Sequence, residues 1–292
     1  VPECACLSLN VQGFFDNSLL SDMQLQIEAS TGSITMHAHQ LILVASSSYF
    51  ATAFSEPWQP TLDGAAPRTL MLRSDEQLVH VRSFIEFLYG REVELTLACA
   101  HPLLRLADFY GVDKLSESCL DYLERVLHPE PTRCFQLFAA PHEVPRPGLD
   151  AAGANAAQSA PELPPPPAQP KLLALCTEVL ARSFSDVSAH ESFLSCPTEL
   201  LLSVLERDDL SVDREFEVLN ALLQWASHDV EGRSSSLSLL LPLIRWSMID
   251  GETLADIEDS NELLRSDSAC ISLRDLLLEA FKYQAASTSR KG

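Results

Sequence analysis

The chain is 292 residues long, 46% hydrophobic and 21% charged, which suits a folded protein of one to three domains. Its 41 Asp plus Glu against 20 Lys plus Arg leave a formal charge of -21, a field that repels phosphate backbones and argues against nucleic acid or an anionic membrane as a direct partner. No run is apolar for long enough to span a bilayer, and with 10 Gly in all the chain has little from which to build glycine-rich phosphate loops.

The N-terminus lacks a basic segment followed by an apolar run, so no secretory leader is expected, and no Asn-x-Ser/Thr acceptor occurs. The chain starts at Val1 and not Met, as a fragment would. Leu7, Val11, Phe14 and Phe15 form a helix-like apolar stripe. That stripe either joins the chain's own core or is covered by a second copy, since large apolar patches are rarely left exposed.

Met23, Leu25 and Ile27 alternate as in a half-buried strand, Thr31-Gly32-Ser33 supplies a turn, and Ile34, Met36 and Ala38 resume the alternation. Residues 22–38 therefore read as a β-hairpin. Leu41 to Phe54 reads as one or two short helices, Asp63-Gly64 and Pro67 as a loop, and Leu70 with Leu72 as a third strand. A helix is expected from Asp75, burying Leu78, Val81, Phe84, Ile85 and Leu88 and ending at Gly90. Val93 and Leu95 suggest another short strand. Two helices follow from about Ala98 to Leu127, divided at Gly111, with Asp113 as N-cap.

Beyond His128 the pattern is helical throughout. Pro131 opens a short helix carrying Phe135 and Leu137. Residues 141–170, rich in Pro, Ala and Gly, read as a flexible linker with a polyproline II portion. Leu172, Leu175, Cys176, Val179, Leu180, Phe184 and Val187 share one helical face. Pro197 precedes a helix with Leu201, Leu202 and Leu205; Asp213 is a candidate cap for one burying Phe216, Leu219, Leu222, Leu223 and Ala226. Apolar runs recur at Leu237–Ile244 and Leu254–Ile257, and a last helix carries Leu273, Leu276, Leu277, Ala280 and Phe281.

Catalytic or metal chemistry finds little support. The eight Cys include no CxxC, and those beyond Cys4 and Cys6 are scattered among apolar segments, which points to reduced thiols in a cytoplasmic or nuclear protein. Strand alternation puts His37 and His39 on one face, yet no Cys or carboxylate stands beside them with matching spacing, so His39 reads as structural and no metal or cofactor is expected. No nucleophile elbow, HExxH or P-loop occurs. Asp208-Asp209 sits at a helix-to-loop boundary and reads as a solvated cap. The run Leu163-Pro164-Pro165-Pro166-Pro167, after Glu162, is similar to the short proline ligands of EVH1 domains, although proline runs are also common in linkers.

Three segments together carry a family resemblance: Ser21-Asp22-Met23-Gln24-Leu25, His37-Ala38-His39-Gln40-Leu41-Ile42-Leu43 and Ser47-Ser48-Tyr49-Phe50. They resemble the opening of a BTB (POZ) domain, and Phe84–Tyr89 and Leu106–Tyr110 fit its later helices. Residues 198–245 resemble a BACK domain, with Leu210-Ser211-Val212, Trp225, Arg233 and Leu243-Ile244-Arg245-Trp246 as marks; Leu263–Asp267 and Glu279–Tyr283 fit its end in kelch-like proteins. The fold class implied is an α+β BTB/POZ domain, a small sheet with surrounding helices, followed by an all-α BACK domain of packed helix pairs. The division expected is BTB at 1–128, a first BACK-type helix at 129–140, the linker at 141–170, the BACK helices at 171–286 and a disordered tail at 287–292.

The resemblance implies a homodimeric adaptor with no catalysis of its own. In many such proteins BTB binds the scaffold of a cullin-3 RING ubiquitin ligase while a kelch propeller captures a protein substrate. Either a propeller has been cut off after Tyr283 or this member never had one. Leu7, Val11, Phe14, Phe15 and Asp22 fall at the expected dimer interface, and Phe54, Trp58, Gln59 and Tyr110 at the expected cullin contact. Two positions depart from the family pattern. Trp58-Gln59-Pro60 stands where a hydrophobic-x-Glu motif is usual, so the anchor is kept and the Glu is lost. Gln40 replaces the basic residue that usually follows the family's His. The rival reading is a scaffold with no ligase role, dimerising to cluster cytoskeletal or transcriptional partners.

Overall fold

The computed structural model describes residues 11–54, 68–138 and 170–253, with Leu276, Leu278 and Lys282 as single helical positions. The described chain forms two compact units, one up to Val126 and one from Leu127 onward.

In the first unit the hairpin forms as the alternation dictates. Strand β1 (Met23–Ala29) pairs antiparallel with β2 (Gly32–Ala38), Leu25 opposite Met36 and Ile27 opposite Ile34. The chain then turns into α1 (Gln40–Ser46) and α2 (Ser48–Ala53), two helices split at Ser47, whose hydroxyl accepts from Phe50 N–H. Strand β3 (Arg68–Arg73) returns parallel to β1, giving the order β2-β1-β3 with Leu25 beside Leu70 and Ile27 beside Leu72. Every second residue of β1 faces the core, so Met23, Leu25 and Ile27 are buried.

Helix α3 (Leu78–Leu88) begins three residues later than the periodicity suggests. The Asp75–Gln77 backbone is still tied to the sheet, with Ser30 N–H donating to Glu76 O, and the Asp75 and Glu76 carboxylates meet Arg105 at 2.8 and 3.0 Å. Val81, Phe84, Ile85 and Leu88 are buried, and Gly90 follows the helix at φ +73°. The strand expected at Val93 and Leu95 does not form: residues 91–96 carry no pairing, and the alternation marks an extended segment half-buried on one side. Helices α4 (Leu97–Tyr110) and α5 (Asp113–Leu127) meet at Gly111, φ +62°. Asp113 is the first helical residue and not the cap; the Val112 carbonyl accepts from Leu115 and Ser116 N–H. At the core, the Phe50 and Phe84 rings stack on Tyr110 at 5.3 and 5.0 Å.

The described part of the second unit is helical. It runs through α6 (Arg133–Phe138), α7 (Pro170–Arg182), α8 (Phe184–Ser188), a 3-10 turn at Glu191–Ser195, α9 (Thr198–Leu205), α10 (Glu215–His228) and α11 (Val230–Leu240). Phe184 and Val187 do not continue the helix of Cys176 but lie buried in the separate α8. Pro197 starts α9 as expected; Leu200 and Leu201 are its buried leucines at that end and Leu202 is half-buried. Arg214, not Asp213, precedes α10. Phe216 is half-buried there, while Val218, Leu219, Leu222, Leu223, Trp225 and Ala226 fill the core. Asp229 caps α11 by accepting from Gly232 N–H at 3.0 Å. The polyproline linker and nearly all of the last expected helix, like Leu254–Ile257, lie outside the described residues.

Candidate functional site

The first unit presents two surfaces on which apolar or aromatic side chains reach solvent. The first gathers around His39, which is 6% exposed. Its Nε2 lies 2.8 Å from the Leu19 carbonyl, its Nδ1 3.1 Å from the Tyr89 hydroxyl, and its backbone N–H donates to that same hydroxyl at 3.1 Å. A carbonyl can only accept, so Nε2 carries a proton; in the neutral ring Nδ1 is then an acceptor for the Tyr89 hydroxyl. Burial pushes the Tyr89 hydroxyl up to about 12, against the lowering effect of the His39 N–H, so it remains a donor at neutral pH.

Around this buried pair the apolar side chains divide. Phe15 is 8% exposed, edge-on to Tyr89 with the Arg91 guanidinium 4.5 Å over its ring, so it belongs to the unit's own core. Phe14 is half-buried with its ring 5.4 Å from His39, and Val11 is half-buried near Gly90. Leu7 lies outside the described residues. Asp22 is exposed and accepts from Gln40 N–H at 2.8 Å, which joins β1 to the start of α1. The sequence reading missed Leu19, Leu20 and Leu41, which are 60, 77 and 79% exposed beside these residues. Leu19 and Leu20 form an adjacent apolar pair in a loop. Leu41 was hidden in the continuous run Leu41-Ile42-Leu43-Val44, where periodicity cannot tell the outward face.

The second surface is aromatic. Phe54 is half-buried and stacks on Phe50 at 6.2 Å, and half-buried Tyr49 lies 5.7 Å from the half-buried ring of Phe109. Tyr110, expected at a partner contact, is 3% exposed between Phe50 and Phe84, and burial raises its hydroxyl pKa. It is a core residue with no surface to offer. Trp58 and Gln59 lie outside the described residues, as does Leu163–Pro167.

Two family comparisons cover most of the chain. Residues 11–127 match the BTB/POZ domain, and residues 168–259 match BACK, "BTB And C-terminal Kelch". The chain is a BTB–BACK protein of the kelch-like family. It is 28% identical over 252 residues to human Kelch-like protein 5, covering 84% of this chain and 28% of that protein. It is 24% identical over 281 residues to human Kelch-like protein 2, covering 94% and 40%, and 26% identical over 268 residues to human Kelch-like protein 4, covering 92% and 33%. The chain thus spans about a third of the length of the curated relatives it matches. Both surfaces lie on the BTB domain. BTB–BACK architecture supports a protein-interaction adaptor. No helix among the described residues is long and apolar enough to cross a membrane.

Proposed function

We propose that this protein is a homodimer that recruits a protein substrate to a cullin-3 RING ubiquitin ligase in the cytoplasm, and in the nucleus as well. The observation that carries the reading is the pair of surfaces on one BTB domain. One is aliphatic, at Leu19, Leu20 and Leu41, and suits a second copy; the other is aromatic, at Tyr49, Phe54 and Phe109, beside the chain that leads to Trp58. The adaptor would position substrate near a charged ubiquitin-transfer enzyme, and two copies would add avidity.

Pro60 favours the rival reading, a dimeric scaffold outside the ligase, because it cannot supply the acceptor that Glu offers in the family motif. Loss of a charge-assisted hydrogen bond costs about 1.5–3 kcal/mol, roughly tenfold or more in affinity. Calorimetry with a cullin-3 N-terminal domain tests this: measurable binding is expected, tightened by Pro60→Glu and weakened by Trp58→Ala. No binding by the wild type or by Pro60→Glu would leave the scaffold as the better account. Leu41→Asp tests the dimer separately, with monomers expected in light scattering.

A further inference from the structure

The loop between Phe15 and β1 holds two non-glycine residues at positive φ, Asp16 at +50° and Leu20 at +60°. Aspartate tolerates the left-handed region; a leucine does so rarely, because its Cβ crowds the following carbonyl. Leu20 is also 77% exposed, so its side chain finds little packing among the described residues to offset that strain. The loop is pinned around it. Leu19 N–H donates to Asn17 Oδ1 at 2.9 Å, Ser21 N–H donates to Ser18 O at 3.2 Å, and the Leu19 carbonyl accepts from His39 Nε2. His39 is in turn fixed by the hydroxyl of Tyr89, a residue only 1% exposed. A buried relay of Tyr89, His39 and the Leu19 carbonyl therefore ends at a strained, outward-facing leucine.

We infer that His39 and Tyr89 are positioning residues for self-association: they hold Leu20 left-handed so that Leu19 and Leu20 enter a second copy of this chain. The inference rests on the dimer proposed above and adds the device that shapes its interface. The loop's hydrogen bonds hold the strained backbone in place, yet the Leu20 side chain they turn outward is 77% exposed and gains little among the described residues, which points to a use outside the protomer. A second copy fits because the patch is aliphatic and the acids beside it are already engaged. Asp16 Oδ1 accepts from His37 N–H at 3.0 Å, and Asp22 Oδ1 from Gln40 N–H. Two strongly acidic chains can meet there with both of these carboxylates already partnered within each copy.

Sedimentation equilibrium on the full chain, with far-ultraviolet dichroism as the folding control, tests this. Leu20→Gly suits the left-handed backbone and removes the exposed side chain, so it folds normally and weakens the dimer about tenfold or more. His39→Gln places an amide N–H where Nε2 lies and keeps the dimer within about threefold. His39→Asn reaches only as far as Nδ1, releases the Leu19 carbonyl and weakens the dimer as Leu20→Gly does. A general core role for His39 would make Gln and Asn equal, and that result, or a wild-type dimer for Leu20→Gly, overturns the inference. If both His39 variants misfold, Leu20→Gly decides alone. Leu41→Asp separates the two levels: if it is monomeric while Leu20→Gly stays dimeric, the face stands and the positioning device falls. If Leu41→Asp stays dimeric, the face itself is misplaced and the inference falls with it.

Discussion

Gly111 shows how far one position can be dictated by its neighbours. It joins α4 to α5 at φ +62°, and a Cβ built there would collide with the Ser48 hydroxyl, which bonds the Gly111 carbonyl at 3.3 Å. Gly111→Ala therefore meets both a left-handed backbone and a steric clash, and should lose about 2 kcal/mol or more, read as a fall in melting temperature; an unchanged melt would mean that α2 moves aside freely. The glycine as helix divider was legible in the sequence, whereas Ser48 as the reason was not, because the contact spans 63 residues. Cysteine reactivity makes a second test at this scale. Burial pushes the Cys119 and Cys196 thiols up to about 12, so at pH 8 both stay protonated and unreactive. Cys99 is half-exposed near the start of α4, its sulfur accepting from Thr96 N–H at 3.1 Å. Brief iodoacetamide treatment followed by peptide mass spectrometry should label Cys99 well before Cys119 or Cys196; equal labelling of the three would contradict the burial described.

Elements were easier to find than their ends. Helices with a strong apolar stripe, such as α3 and α10, appear where periodicity puts them, because one buried face is a local property of sequence. Caps depended on which residue the tertiary structure left free, and both Asp113 and Asp213 were one residue away from the role expected. The strand expected at Val93 and Leu95 failed for a related reason: alternation records one-sided burial, while a strand also needs a neighbour. In the BACK domain the join between α10 and α11 is made by Arg233. Its Nη1 donates to the Trp225 carbonyl at 2.6 Å and its guanidinium lies 4.3 Å from the Trp225 ring, while Trp225 Nε1 donates to the Cys196 carbonyl at 2.8 Å. Sequence marked Trp225 and Arg233 as family residues but could not show that they touch. Arg233→Ala should lose roughly 1–2 kcal/mol from the hydrogen bond and the cation–π contact. Arg233→Lys should recover only part of it, since an ammonium cannot both stack and reach the carbonyl in one plane. A lysine variant as stable as the wild type in thermal melts would show that charge alone suffices.

At the scale of the whole molecule, architecture was legible because order and spacing of many weak motifs reinforce one another; BTB and BACK follow from that combination. Which apolar residues stay outside was not, since Leu19, Leu20 and Leu41 have the same chemistry as the core leucines and differ only in where the fold leaves them. Net charge gives those surfaces a measurable signature. Each copy carries a formal -21, so two copies repel at long range, while the proposed interface is aliphatic and its nearby Asp16 and Asp22 are bonded to backbone N–H groups. Salt screens the repulsion and leaves apolar burial nearly untouched: the Debye length shrinks from about 30 Å at 0.01 M to about 10 Å at 0.1 M. Dimerisation should therefore tighten as ionic strength rises, by about an order of magnitude in Kd between roughly 0.02 and 0.5 M NaCl. An interface held by ion pairs would respond in the opposite sense, as would binding to a basic partner. Sedimentation equilibrium across that range decides between them: a dimer that weakens with salt would mean that charged groups, and not the Leu19–Leu20–Leu41 face, hold the two copies together.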